Sequence, residues 1–168
     1  GSDAKTCCSL ENINDAKSVA NSLGIPFEVC DFRPEFEEKV ISKFISAYEH
    51  GITPNPCVDC NRTLKFDELF RAGKELGQDY IATGHYVIVE HGEDGRYKLK
   101  KAVDLSKDQS YVLYSLSQEQ LSHTMFPLGS MHKSETRTIA EAHGFISAKR
   151  KESQDICFIP DGDYASFI

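Results

Sequence analysis

Asp79-Tyr80-Ile81-Ala82-Thr83-Gly84-His85-Tyr86 is a short apolar run that stops at Gly-His. Its length and composition predict a buried strand over 79–83, with the chain leaving the sheet at Gly84. Upstream, Leu64, Phe66, Leu69, Phe70, Ala72 and Leu76 recur at helical spacing, Gly77 closes that helix, and Asn61 is a suitable cap for its start. On this reading Cys60 sits just before a helix N-terminus. Farther upstream, Phe36, Val40, Ile41, Phe44, Ile45 and Tyr48 make a broad apolar stripe between Pro34 and Gly51. Ala16, Val19, Ala20 and Leu23 make a first helix stopped by Gly24 and Pro26, and 27–32 reads as a strand after it. Downstream, 86–90 and 97–101 form a hairpin joined through Glu93-Asp94-Gly95-Arg96. Ser117 with Gln120 resembles a capping box, Ser134 is a cap for a helix ended by Gly144, and 155–160 reads as a strand carrying Cys157. Strands alternating with helices predict an α/β domain with a mainly parallel sheet flanked by helices. Ligands of such a sheet lie beyond the carboxyl ends of its strands.

A chain of 168 residues with 40% hydrophobic content supports one domain with a real core, so 1–168 is read as a single domain with a hairpin insertion near 86–101. No apolar run approaches the roughly 20 residues needed to cross a bilayer, and the start shows neither a secretory nor a transit signal. Six cysteines are too sparse for a disulfide scaffold of this length and fit metal or catalytic thiols in a reducing, cytoplasmic setting. A formal charge of -7 argues against a uniformly basic nucleic-acid surface, although basic residues gather at Lys100-Lys101, Lys107 and Lys149-Arg150-Lys151.

Three cysteines carry the chemistry: Cys57 and Cys60 in Thr53-Pro54-Asn55-Pro56-Cys57-Val58-Asp59-Cys60-Asn61, and Cys157 in Asp155-Ile156-Cys157-Phe158. As a nucleophile, Cys60 is the better candidate, because a helix N-terminus with Arg62 and Lys65 nearby favours a thiolate. A remote thiol such as Cys157 can then exchange with a persulfide or disulfide formed at the first. As metal ligands, Cys57 and Cys60 have a spacing that lets both sulfurs meet one ion, with Cys157 a third. A structural zinc needs a fourth ligand from His50, His85, Cys7 or Cys8, whereas a four-iron cluster can leave one iron open. Cys30 reads as an ordinary buried cysteine. Tyr111, Tyr114 and Phe126 are expected in the core rather than stacked on RNA bases, and His85 is either a nucleotide-pocket group or a hydrogen-bonded strand-end histidine.

Several blocks, in order, resemble the tRNA-specific 2-thiouridylases: Thr53-Pro54-Asn55-Pro56, Cys60-Asn61, Lys65-Phe66, Tyr80 to Tyr86, Lys107-Asp108-Gln109-Ser110-Tyr111 and Ile156-Cys157-Phe158-Ile159. The resemblance covers nearly the whole chain. It implies an adenine-nucleotide alpha-hydrolase-like catalytic domain of the ATP-pyrophosphatase kind, which adenylates the C2 oxygen of a wobble uridine and replaces it by sulfur from a protein persulfide. Carried over by position, Cys157 carries the persulfide and Cys60 releases the sulfur or resolves a disulfide. Asn55, Pro56 and Cys57 lie against the target base, Gly84 lines the ATP pocket, and Lys107, Asp108 and Gln109 contact tRNA. ATP with magnesium, tRNA and a persulfide-donating sulfur-carrier protein are the implied substrates and partners, and no membrane is implied.

The family's Gly-rich phosphate loop with its first strand does not occur in this sequence, nor do the tRNA-binding segments that follow the second catalytic cysteine. The chain is therefore expected to be a partial catalytic domain, inactive alone. Many members carry Asp at the position of Cys57, so either Asp59 substitutes here or Cys57 joins Cys60 and Cys157 in an iron–sulfur cluster. Two alternatives to persulfide chemistry follow: cluster-dependent thiolation, and a non-catalytic, zinc-stapled RNA-binding module.

Overall fold

The computed structural model describes residues 10–149, 156–159 and 162–168. The chain divides into two compact units: the described residues up to Val29 together with those from Arg137 onward, and Cys30–Thr136. In the first unit, α1 (Leu10–Leu23) buries Ala20. It ends where Gly24, at φ 67°, lets its own amide and that of Ile25 return to the Asn21 and Ala20 carbonyls. Residues 25–32 carry no regular secondary structure and pair with no strand among the described residues, so the strand expected at 27–32 does not form. Residues 156–159 form a turn closed by the Ile159 amide on the Ile156 carbonyl at 2.9 Å, which replaces the strand expected around Cys157. The outer residues of that expected strand, 155 and 160, lie outside the described ones, as do Cys7, Cys8, Arg150 and Lys151. Ile159 is fully buried, and the short α8 (Tyr164–Phe167) sets Phe167 against Phe158 at 5.3 Å between ring centroids.

The second unit holds the elements from Arg33 to Met125 and the first residues of the helix that follows. The apolar stripe read between Pro34 and Gly51 forms as α2 (Arg33–Phe36), a π-helical run Glu37–Ile41 and α3 (Ser42–Glu49), burying Val40 and Phe44 one turn apart. Helical structure resumes in α4 (Pro56–Cys60), passes through a second π-helical run, Asn61–Glu68, and ends in α5 (Leu69–Glu75). The π run explains a departure from the expected buried face. Wider turns shift the phase of the stripe, so Asn61, Leu64, Phe66 and Glu68 point inward while Leu69 and Leu76 are exposed. Glu68, almost fully buried, is paired with Lys39 at 2.6 Å and with Arg71, and these two cations hold its carboxyl below the usual carboxylate range.

β1 (Ile81–Ala82) pairs in parallel with β4 (Thr124–Met125), and β2 (Val87–His91) pairs with β3 (Tyr97–Lys101) as the expected hairpin. The α/β class holds, with a small parallel sheet among helices. Before β4, α6 (Gln118–Ser122) carries the expected capping box between Ser117 and Gln120. After it, α7 (Lys133–Ala142) starts one residue ahead of Ser134, which is therefore inside the helix rather than its cap, and Gly144 ends it as expected. Gly129 is required by close approach: a Cβ there would lie 1.9 Å from the Val87 carbonyl oxygen.

The core of this unit gathers Phe66, Val87, Val112, Leu113, Leu116 and Leu121. Phe66, at 1% exposure, brings the helical run into that cluster, and Gln120 adds a hydrogen bond to its carbonyl at 3.0 Å. Truncating the ring leaves a cavity that helix, hairpin and α6 share. Phe66→Ala is therefore expected to cost about 3–5 kcal/mol of unfolding free energy in urea titration, and Phe66→Leu clearly less.

Candidate functional site

Pro54 and Pro56 keep the loop from entering a helix before Asn55. Asn55, in an extended conformation, then caps the helix: its Oδ1 accepts the Cys57 amide at 3.1 Å, and Pro56 occupies the first turn, where no amide is needed. The helix thus starts at Pro56, not at Asn61. Cys57 lies in the first turn and is exposed, whereas Cys60 closes α4 and is half-buried. Cys60 therefore does not precede a helix N-terminus as expected, and the dipole effect, which fades beyond the first turn, does not favour its thiolate. Asn61 is an interior helical residue whose Nδ2 donates to the Cys57 carbonyl at 2.9 Å, and its buried Oδ1 has no partner.

The two thiols, three residues apart, lie on neighbouring positions of one helical face. No disulfide joins the described cysteines, and Cys30 is exposed rather than buried. Asp59 sits between cations, 3.1 Å from Arg62 and 3.8 Å from Lys43, so the positive charge expected of Arg62 beside Cys60 is largely answered by this carboxylate. Among the described residues, no three His, Cys, Asp or Glu side chains gather as metal ligands. Cys157 belongs to the other unit, where it occupies the turn of 156–159 and is half-buried.

The end of β1 approaches this helix through Phe66 and His85, whose rings lie 6.0 Å apart, six residues beyond Cys60 and one beyond Gly84. Gly84 is exposed just past the carboxyl end of β1, the position at which ligands of parallel sheets are held. His85 is buried, shares a 2.8 Å hydrogen bond between Nδ1 and the Thr83 hydroxyl, and leans its edge toward Phe126. Burial, aided by the charge of Lys65, pushes its imidazole down to about 4, so it is neutral at pH 7.

Gln109 ties a second segment to the same place. Its amide donates to the Tyr86 carbonyl and its Oε1 accepts the Tyr86 amide, each at 3.0 Å. Asp108 accepts the Ala102 amide at 2.9 Å and the Ser110 hydroxyl at 2.6 Å. Two residues expected to touch a substrate thus use their side chains to shape the loop, while Lys107 closes a short 3-10 turn, Leu105–Lys107. No pattern in the sequence signals the Tyr86–Gln109 clamp, because it joins residues 23 apart. An open groove of about 510 Å3 between β2 and β4 is lined by Phe126 but by none of the residues expected to react or to bind substrate. No helix among the described residues is long and apolar enough to cross a membrane.

Comparison with known proteins follows the same residues. Positions 1–161 match the family described as the tRNA methyl transferase HUP domain. The chain is 52% identical over 168 residues to the tRNA-specific 2-thiouridylase MnmA of Geotalea uraniireducens, covering 100% of this chain and 45% of that protein. It is 54% identical over 167 residues to tRNA-specific 2-thiouridylase MnmA 1 of Caldanaerobacter subterraneus, covering 99% of this chain and 46% of that protein. Against the 2-thiouridylase MnmA of Chloroflexus aurantiacus it is 53% identical over 162 residues, covering 96% of this chain and 45% of that protein. The chain spans less than half the length of these curated relatives.

Asn55→Ala removes the cap and is expected to cost about 1 kcal/mol of stability in urea unfolding, with Asn55→Asp retaining most of it. For His85 the folded imidazole is less basic than the unfolded one, so the unfolded chain binds the extra proton. Stability should therefore fall as pH drops from about 6.5 to about 4, by at most about 1.4 kcal/mol per pH unit, and His85→Gln should flatten that limb.

Proposed function

This chain belongs to the tRNA methyl transferase HUP domain family, and on that premise we propose that the full-length protein replaces the C2 oxygen of a tRNA wobble uridine by sulfur. The observation that carries this reading is the pair of thiols on one helical turn beside the end of β1, in a chain whose relatives are named 2-thiouridylases. The family's description names methyl transfer, but a thiol such as Cys60 near a nucleotide-type strand end suits sulfur chemistry, in which a thiolate is nucleophile and leaving group in turn.

In this account ATP, with magnesium, binds past Gly84, and its α-phosphorus forms a bond to the uridine C2 oxygen as pyrophosphate leaves. Cys157 carries a persulfide delivered by a sulfur-carrier protein. The Cys60 thiolate attacks the Cys157 sulfur, a disulfide forms between them, and the outer sulfur departs as sulfide. That sulfide adds to C2 and AMP leaves with the former oxygen. The two thiols are oxidised as the persulfide sulfur is reduced, so an external thiol must reduce the disulfide before another turnover. Asn55 and Pro56 hold the loop that presents Cys57 to the base, and Lys107 adds charge for phosphate. Buried, neutral His85 keeps the floor of the nucleotide site apolar without adding a second positive charge beside Lys65. Thiols not joined in a disulfide suit a reducing cytoplasm.

A second mechanism, an iron–sulfur cluster on Cys57, Cys60 and Cys157, differs in what each cysteine is for. With ATP, tRNA and a persulfide donor, Cys157→Ser and Cys60→Ser of the full-length protein are each expected to lower 2-thiouridine formation to background in nucleoside analysis, while Cys57→Asp retains measurable activity. Unchanged product with Cys157→Ser would sink the assignment, and loss of activity with Cys57→Asp accompanied by loss of bound iron would replace the persulfide mechanism by the cluster.

A further inference from the structure

Residues 109–116 fold as successive tight turns: the amides of Val112, Leu113 and Leu116 donate to the carbonyls of Gln109, Ser110 and Leu113 at 3.1–3.2 Å. In such turns side chains three apart lie one above the other. The inward face places Val112, Leu113 and Leu116 in the core, all less than 9% exposed. The outward face carries Tyr111 and Tyr114, 63% and 73% exposed. Core packing, the sequence-based expectation for both tyrosines, is thus overturned, while Phe126 does pack against the core. Two aromatic rings held outward on one face, with their backbone pinned by buried neighbours, form a preordered apolar step.

The step starts at the candidate site, because the Gln109 clamp fixes its first residue to Tyr86, two residues past Gly84. Its foot is basic. Lys101 lies close enough to act on the Asp108 carboxylate, Lys107 precedes that residue, and the Lys133 ammonium stands 5.3 Å from the Tyr86 ring centroid. Among the described residues, Asp108 accepts from Ala102 and Ser110, and Asp104 accepts from the Lys133 amide and Ser106 with His132 3.8 Å away, so both carboxylates serve to hold the loops in place. Cations beside flat, exposed aromatic faces complement a ligand that is anionic along its backbone and aromatic in its side groups, as unpaired RNA is.

We propose that Tyr111 and Tyr114 form a stacking platform for unpaired bases of the RNA substrate, with Lys101, Lys107 and Lys133 at its foot for the phosphates. This rests on the reading of the full-length protein as a tRNA-modifying enzyme. Stacking discriminates weakly among bases, so the platform holds the substrate strand in place while the loop of Asn55, Pro56 and Cys57 selects the nucleotide that reacts.

The test is binding of an unmodified tRNA transcript with a wobble uridine to the full-length protein, at several salt concentrations. Tyr111→Ala and Tyr114→Ala should each weaken binding by about fivefold to a hundredfold with an unchanged salt slope, and the Phe variants should stay within about twofold of wild type. Lys107→Ala should instead lower the salt slope by about one. Circular dichroism and urea midpoints of the variants confirm that exposed substitutions leave the fold intact. Wild-type affinity in both Ala variants overturns the platform while leaving the tRNA reading standing, and equal losses in the Ala and Phe variants overturn stacking in favour of a hydroxyl contact. If the Ala variants keep tRNA affinity but lose association with a protein partner, the face is a protein dock and the proposal fails. If the wild-type protein binds no tRNA, the functional reading fails and the platform with it.

Discussion

Burial of the Phe66 ring is the constraint on which the second unit depends. The ring sits in one cluster with Val87 of the hairpin, Leu121 of α6 and the inward face of residues 109–116, and its neighbour His85 follows the end of β1. The helical run that carries Cys57 and Cys60 is therefore positioned by the hydrophobic contact of Phe66. Cys60 precedes Phe66 by six residues, roughly 9 Å along a regular helix, so what holds Phe66 sets the thiols' distance from the strand end. The π-helical run Asn61–Glu68 lies between them. Such runs accommodate an extra residue per turn, and here the run brings Asn61, Phe66 and Glu68 inward together.

The electrostatics follow from that packing. Glu68 turns inward and takes Lys39 and Arg71 with it, so a buried carboxylate is matched by cations from two segments. Asp59 remains nearer the surface, between Arg62 and Lys43, and moderates the positive potential around Cys60. What is left at the helix start is a capped amide and an exposed thiol at Cys57. At the strand end, His85 is kept neutral by burial. The strand end is thus an apolar floor around a neutral imidazole, with Lys65 close enough to act on it.

Periodicity and local chemistry made part of this visible in the sequence. The stripe from Phe36 to Tyr48, the hairpin around Gly95, the Ser117–Gln120 capping box and the glycines at 24 and 144 all rest on interactions within a few residues, and all are present. The departures have a common origin in tertiary context. Residues 27–32 have strand composition, but a strand needs a neighbour to pair with, and composition does not supply one. Asn61 has the side chain of a cap, but Asn55-Pro56, six residues earlier, takes that role. The stripe over Leu69 and Leu76 assumes 3.6 residues per turn, which the π run breaks. Tyr111 and Tyr114 look like core residues by type, yet tight turns with three residues each put Leu113 and Leu116 inward instead. For the site, motif order singles out Cys57, Cys60, Gly84 and Gln109, but not the Tyr86–Gln109 clamp, which depends on contacts between distant residues.

The central claim is that sulfur reaches the uridine by way of a persulfide on Cys157 and that Cys60 is the thiol that releases it. Its most direct test is peptide-level mass spectrometry of the full-length protein after loading with a persulfide donor in the absence of tRNA, with thiols trapped by alkylation. The account predicts one added sulfur on the peptide bearing Cys157 and, after tRNA and ATP are supplied, a disulfide-linked peptide pair containing Cys157 and Cys60. Added sulfur confined to Cys57, or no added sulfur on any cysteine while 2-thiouridine is still produced, would contradict it.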